Sequence, residues 1–131
     1  LAAGSTPLLR ARTPKALGSA DFKRVLRRGR RINSAHLVCC IEVPATQNTF
    51  GLGICVPKRF LKSAVLRNVV KRQIREAARL GCGAVGLNLV FLGRTPFLKQ
   101  GSDLRVAKRN LSRLVRAECE GLLARCVGQL S

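Results

Sequence analysis

A helix-on-sheet α/β sandwich is the fold class this sequence predicts, and three observations predict it. Strand, helix and strand patterns follow one another between Phe50 and Leu92, the succession of a βαβ unit. The helix of that unit, around Leu66–Arg79, has one apolar and one polar face. A long amphipathic pattern closes the chain and offers a second apolar stripe for packing.

Taken in order, residues 1–18 carry two prolines and three cations, with no acid and no periodicity. They are expected to form a flexible basic tail ahead of a single domain over residues 19–131. Ser19 is placed as an N-cap, with Asp21 in the first turn of the helix that follows. That helix turns Phe22, Val25 and Leu26 to one side and Lys23, Arg24, Arg27 and Arg28 to the other. It ends near Gly29 and leaves through Arg30 and Arg31.

Ala35–Val43 alternates as a strand. Leu37, Cys39, Ile41 and Val43 share one face; His36, Val38, Cys40 and Glu42 share the other. After a polar turn over 44–49, Phe50–Val56 is a second strand with Leu52, Ile54 and Val56 inward and Gly51, Gly53 and Cys55 opposite. Small residues on that face let a helix or another backbone approach closely. Pro57–Ser63 is a loop holding Lys58, Arg59 and Lys62.

The loop feeds the two-faced helix. At about 100° per residue, Leu66, Val69, Val70, Ile74 and Ala77 fall on one side. Arg67, Asn68, Lys71, Arg72, Arg75 and Arg79 fall on the other. Gly81, Gly83 and Gly86 end it. Leu87–Leu92 is a nearly continuous apolar run, the mark of a strand buried on both faces. Ser102 and Asp103 start the last helix, whose stripe is Leu104, Leu111, Val115, Cys119, Leu122 and Cys126.

The charge of the chain narrows its partners. There are 25 Lys and Arg against 6 Asp and Glu, a formal net charge of +19 on 131 residues. Such self-repulsion costs stability and calls for a polyanion. Nucleic acid fits best, because neutralising phosphates releases counterions. No stretch reaches the roughly 20 apolar residues of a membrane span. With five Phe and no Tyr or Trp, the chain is not built to stack successive bases on aromatic platforms. Backbone and shape recognition is expected instead.

Other chemistries find little support. The six cysteines include no C-x-x-C pair and the single His36 has no spaced partner, which argues against zinc. Cysteines on apolar runs pack as small hydrophobes. With no secretory pattern in Leu1–Leu9, a reduced, cytoplasmic protein is expected. The six acids, Asp21, Glu42, Glu76, Asp103, Glu118 and Glu120, show no clustering for two-metal or general-base work. No catalytic residue is assigned.

One pattern is more specific. Cys55-Val-Pro-Lys-Arg, followed by Leu66-Arg-Asn-Val-Val-Lys-Arg-Gln-Ile-Arg-Glu-Ala, resembles the strand, basic loop and R-N-R helix of the bacterial ribonuclease P protein subunit. Phe22-Lys-Arg-Val-Leu-Arg-Arg-Gly-Arg-Arg resembles that family's F-x-x-V-(F/L)-x-x-G-x-R segment, and Leu87-Asn-Leu-Val-Phe-Leu its later strand. The likeness covers roughly Ala20–Val127, in order. It implies an α+β two-layer sandwich of order αβββαβα, a mixed central sheet with an RNA-binding basic helix, and a left-handed βαβ crossover against the usual rule. The fourth strand is then expected as a short piece near Arg31–Asn33 or as the split of an apparent longer one.

The resemblance also implies a function: the protein subunit of ribonuclease P, an endoribonuclease whose large RNA cuts the 5′ leader from precursor tRNA. Mg²⁺ is expected mainly on that RNA, with no organic cofactor. The protein is expected as a monomer, one to one with the catalytic RNA, off the membrane. By position, Arg67, Asn68, Lys71, Arg72 and Arg75 contact RNA with Lys58, Arg59 and Lys62, and Asn68 lies near a metal ion. Arg27, Arg28, Arg30 and Arg31 add to the RNA-facing charge. Phe22, Leu26, Val38 and Cys40 line a cleft for the leader. Val69 replaces the third residue of the R-N-R motif, and Leu26 and Cys40 stand at positions often aromatic in the family. A ribosomal-type RNA binder shares the charge and layering, but not the R-N-x-x-K-R-x-x-R-E helix after a V-x-K-R strand.

Overall fold

The computed structural model describes residues 14–44, 50–82, 86–97 and 103–130, with the side chains of Cys82, Gln129 and Leu130 left aside. The elements are β1 (Lys15–Ala16), α1 (Ser19–Arg28), β2 (Arg30–Asn33), β3 (Leu37–Glu42), β4 (Gly51–Cys55), α2 (Ala64–Cys82), β5 (Asn88–Gly93) and α3 (Leu104–Leu130). The strands form one sheet in the order β1-β4-β5-β3-β2. β4 and β5 run parallel with α2 between them. β3 is antiparallel to both β5 and β2, so the sheet is mixed, as expected.

Alternation along the strands sends side chains to two cores. Leu37, Cys39 and Ile41 of β3 join Leu52, Leu89 and Phe91 under α2 and α3. Leu66, Val70 and Ile74 come down from α2, and Leu111, Val115, Cys119, Leu122 and Cys126 from α3. On the other face, Val38, Cys40 and Val90 pack against Val25 of α1. α1 thereby covers part of the second face of the sheet. β5 is buried on both faces from Asn88 to Phe91, as its unbroken apolar run predicts.

The helix ends follow local chemistry. Ser63 Oγ accepts the amide of Leu66 at 3.2 Å and starts α2. Asp103 Oδ1 accepts the amide of Arg105 at 2.9 Å and caps α3; each satisfies a donor the helix leaves open. At α1 the expectation needs correction. Gly18, not Ser19, is the N-cap, with no side-chain cap bond, and its carbonyl accepts from Phe22 N at 2.8 Å. Leu104 also departs from the predicted stripe: it is exposed, and Ala107 takes the buried position one turn on.

The edges of the sheet hold two further differences. β2 occupies Arg30–Asn33, the first of the two alternatives for the fourth strand. β1 lies inside the segment expected to be a flexible tail. Its order comes from the backbone: Lys15 N donates to Phe50 O at 2.9 Å and Leu17 N to Leu52 O at 3.1 Å. Residues 1–13, the turn over 45–49, Gly83 and Ser102 lie outside the described residues.

Candidate nucleic-acid interface

α2 carries the charge outward because its other side is committed to the core. Leu66, Val70, Ile74, Ala77 and Ala78 are buried, while Asn68, Arg72 and Arg75 are exposed and Lys71 is half-buried. Val69 sits half-buried at the margin, where a valine packs without strain. Only Arg79 of this face is neutralised by an acid among the described residues, by Glu76 at 2.6 Å. The guanidinium holds the Glu76 carboxyl below the usual range.

Arg67 also has a task within the chain. Its Nη1 donates to the carbonyls of Leu61 at 2.9 Å and Lys62 at 2.8 Å. It therefore braces the basic loop against the start of α2. Within that loop the amides of Phe60 and Leu61 turn back onto Pro57 O. Arg59 lies over the Phe60 ring, 4.8 Å from its centroid, a cation–π contact. Lys58 and Lys62 are exposed.

A groove of about 360 Å³ opens on one flank of α2. Leu17 and Phe22 line it from the α1 side, Gly53 and Ile54 from β4, and Lys71 and Arg75 from α2. It exists because β1 pairs only with Gly51 and Leu52, so no described strand covers β4 beyond that point. Gly53 brings Phe22 close: a Cβ there would stand 2.6 Å from the ring's Cε2. This is the close approach expected of the Gly51–Gly53 face. The groove combines an aromatic surface, an open strand edge and two cations.

The predicted cleft residues do not all meet there. Phe22 lines the groove, and Leu26 is half-buried against the α1 core. Val38 and Cys40 are covered by α1, Cys40 completely, and burial pushes the Cys40 thiol up. The opening runs along β4 and α2, not over β3. Leu17 and Ile54 were missed, since nothing in an apolar pattern separates a groove wall from a core residue.

α1 is fastened by an ion network. Arg24 grips Glu42 through Nε and Nη2, both at 2.9 Å, and also reaches Asp21 at 2.6 Å. Asn88 Nδ2 donates to Glu42 Oε1 at 3.0 Å. Glu42, expected on the strand surface, is a tie between helix and sheet. Arg27, Arg28, Arg30 and Arg31 are exposed near the β2 edge, with Arg31 Nη2 3.5 Å from Leu26 O. His36 Nδ1 meets Glu118 Oε1 at 2.8 Å, and its ring stacks on Phe97, so it joins β3 to α3 in a packing role. No described group of three His, Cys, Asp or Glu could hold a metal, and no described helix is long and apolar enough to cross a membrane.

A mixed sheet backed by two helices, one of them presenting a largely uncompensated basic face beside an open groove, defines a small α+β domain with a strongly basic surface. The family model described as Ribonuclease P matches residues 12–120. The chain belongs to the ribonuclease P protein family. It is 40% identical over 90 residues to the ribonuclease P protein component of Herpetosiphon aurantiacus, covering 67% of this chain and 68% of that one. With the protein of the same name from Chloroflexus aurantiacus it shares 38% over 78 residues, 58% of this chain and 56% of the relative. The fold is similar to that of the Staphylococcus aureus RNase P protein, with a TM-score of 0.65 at 24% identity over 85% of this chain and 94% of that one.

Proposed function

We propose that this chain is the protein subunit of a ribonuclease P holoenzyme, in which it binds the catalytic RNA and the 5′ leader of precursor tRNA. The observation that carries the reading is the division of labour on α2. Lys71 and Arg75 turn toward the groove that Phe22 closes on its far side, while Asn68 stays on the open crest and Arg72 faces the opposite flank. One helix can then serve two ligands. A single strand laid in the groove meets two cations for its phosphates and one aromatic surface for a base. The crest, with Lys58 and Lys62 beside it, meets the folded catalytic RNA.

The protein is assigned no catalytic residue. In this reading the RNA makes the cut, with Mg²⁺ supplying metal-assisted hydrolysis. Asn68 brings a single neutral oxygen, and among the described residues no group of three His, Cys, Asp or Glu could hold a metal. What the chain does is neutralise phosphate charge where two RNA segments converge, which lowers the magnesium needed to hold them together. It also positions the leader relative to the catalytic RNA, a contribution to binding and orientation.

The test is cleavage of a leader-bearing precursor tRNA at low magnesium, using a bacterial catalytic RNA with and without this protein. Restored cutting at the mature 5′ end, with no cutting by protein alone, is the expected result. Binding to many RNAs without stimulation would move the chain to the ribosomal-type structural binders.

A further inference from the structure

α2 is a ridge with a groove on each flank, and the second groove has no role in the function proposed above. It measures about 410 Å³ and lies between α2 and the N-terminal third of α3. Val65 and Val69 form its floor. Arg72 stands on one wall, and Arg105, Lys108 and Arg109 on the other. At about 100° per residue, the α2 residues that line it lie roughly 120° around the helix from Lys71 and Arg75. The two grooves therefore open on different sides of α2.

Three features mark the second groove as a seat for a phosphate backbone. Arg105, Lys108 and Arg109 are all exposed, and none is in a described ion pair. The one acid nearby in sequence, Asp103, is engaged by the amide of Arg105 at 2.9 Å. Arg105 also lies in the first turn of α3, where the helix macrodipole is positive and a cation is unfavourable, and Lys108 and Arg109 follow in the second. No acid stands in that first turn to relieve them. An anion lying between the helices would relieve their mutual repulsion. Beside the groove, Arg116 Nε donates to Gln73 Oε1 at 3.0 Å and ties α3 to α2. Its walls run parallel for about two turns, or about 10 Å, enough for a stretch of backbone and not just one ion.

We infer that the α2–α3 groove binds the sugar–phosphate backbone of the catalytic RNA, at a segment separate from the one on the α2 crest, with Arg105, Lys108 and Arg109 as its principal contacts. The inference rests on the holoenzyme reading above. RNA is favoured over an acidic protein because the floor is only two valines wide and the walls carry cations without apolar anchors. The leader is excluded because it would have to cross the ridge.

The experiment compares wild type, the triple variant R105Q/K108Q/R109Q and Val65→Trp. Val65 is an exposed floor residue, so tryptophan there fills the groove and leaves the charge unchanged. Affinity for full-length bacterial ribonuclease P RNA is measured from low to moderate salt, beside affinity for a mature tRNA as a nonspecific polyanion. Thermal melts confirm folding. The triple variant is expected to lose at least about tenfold affinity for the catalytic RNA, and its slope of log affinity against log salt falls by about two. Val65→Trp is expected to lose affinity with little change in slope. Substrate preference of the assembled complex for leader-bearing over mature tRNA stays within about twofold in both. Wild-type affinity and slope in the triple variant would overturn the inference. So would an equal loss on mature tRNA, which marks general charge, or an unaltered RNA affinity in both variants accompanied by loss of a protein partner. If the triple variant melts early, Lys108→Gln, whose salt slope is expected to fall by about one, and Val65→Trp decide the matter on their own. Failure of wild type to bind or stimulate the catalytic RNA would instead overturn the holoenzyme reading itself.

Discussion

The ring of Phe22 on α1 lies against the Cα of Gly53 in β4, so close that a Cβ at position 53 would stand 2.6 Å from the ring's Cε2. An aromatic ring fixed at one end of a helix cannot swing aside as a lysine tip can. Gly53 therefore sets both the seating of α1 and the width of the groove.

Gly53→Ala is expected to push Phe22 outward and to cost about 1–3 kcal/mol, the usual range for overpacking. Thermal denaturation should show a drop of several degrees. Affinity for leader-bearing substrate should fall more than affinity for the catalytic RNA, since the crest of α2 is untouched. A variant with wild-type melting and wild-type leader affinity would mean that the ring does not rest on this glycine.

Arg67 is expected to behave differently from its neighbours. Its two bonds to Leu61 O and Lys62 O make it a brace for the loop that presents Lys58 and Lys62. Arg67→Ala should cost about 1 kcal/mol, modest for charge-assisted bonds near solvent. It should also raise amide exchange across residues 58–62. Lys71→Ala should leave both stability and loop exchange near wild type while weakening leader binding. Arg67→Lys should not restore the loop, because an ammonium lacks the guanidinium fork. Equal loop exchange in the Arg67 and Lys71 variants would remove the distinction.

These two residues show how far the sequence could be read. Period-two alternation in Leu37–Glu42 separated two real faces, because each face meets its own layer of helix. The basic face of α2 was legible for the same reason: the core claims a fixed stripe. The spacing did not reveal which cations are spent within the chain. Arg67 on loop carbonyls and Arg24 on Glu42 look, in sequence, like Arg72 and Arg28. β1 was hidden because Lys15 and Ala16 are both exposed and only their backbone is held. The α3 wall was hidden because its cations gain meaning only when α3 docks beside α2, a pairing no local pattern encodes. Leu104 fits the stripe on paper, yet it sits just after the cap, before α3 has met the sheet.

The Arg24–Glu42–Asn88 network makes stability depend on acidity. The Arg24 hydrogen bonds hold the Glu42 carboxyl below its ordinary value, with Asn88 assisting. A carboxylate depressed in the folded state adds stability that is fully present above its unfolded value of about 4.3. It is lost as pH falls through the lower folded value. Wild type should therefore exceed Glu42→Gln in melting temperature at pH 6, with the gap closing progressively below about pH 4. A gap that stays constant down to pH 3, or widens, would show that the carboxylate charge is not what ties α1 to the sheet.

Thiol reactivity reports on the core directly. Cys55 is exposed, while Cys39, Cys40, Cys119 and Cys126 are buried. Burial pushes the Cys119 thiol up to about 12, so it stays protonated, and a protonated thiol is a poor nucleophile. The Cys126 thiol is drawn down by the Cys39 sulfur 3.6 Å away, yet it lies at zero exposure between β3 and α3. Access, not ionisation, then governs its rate. In a Cys82→Ser background, a thiol reagent at pH 8 should label one cysteine within seconds and the other four only as the protein unfolds globally. Cys55→Ser should abolish the fast phase alone. Fast labelling of Cys126 as well would mean that the C-terminal part of α3 opens independently of the sheet. Hydrogen exchange in α3 should then be faster beyond Leu122 than before it.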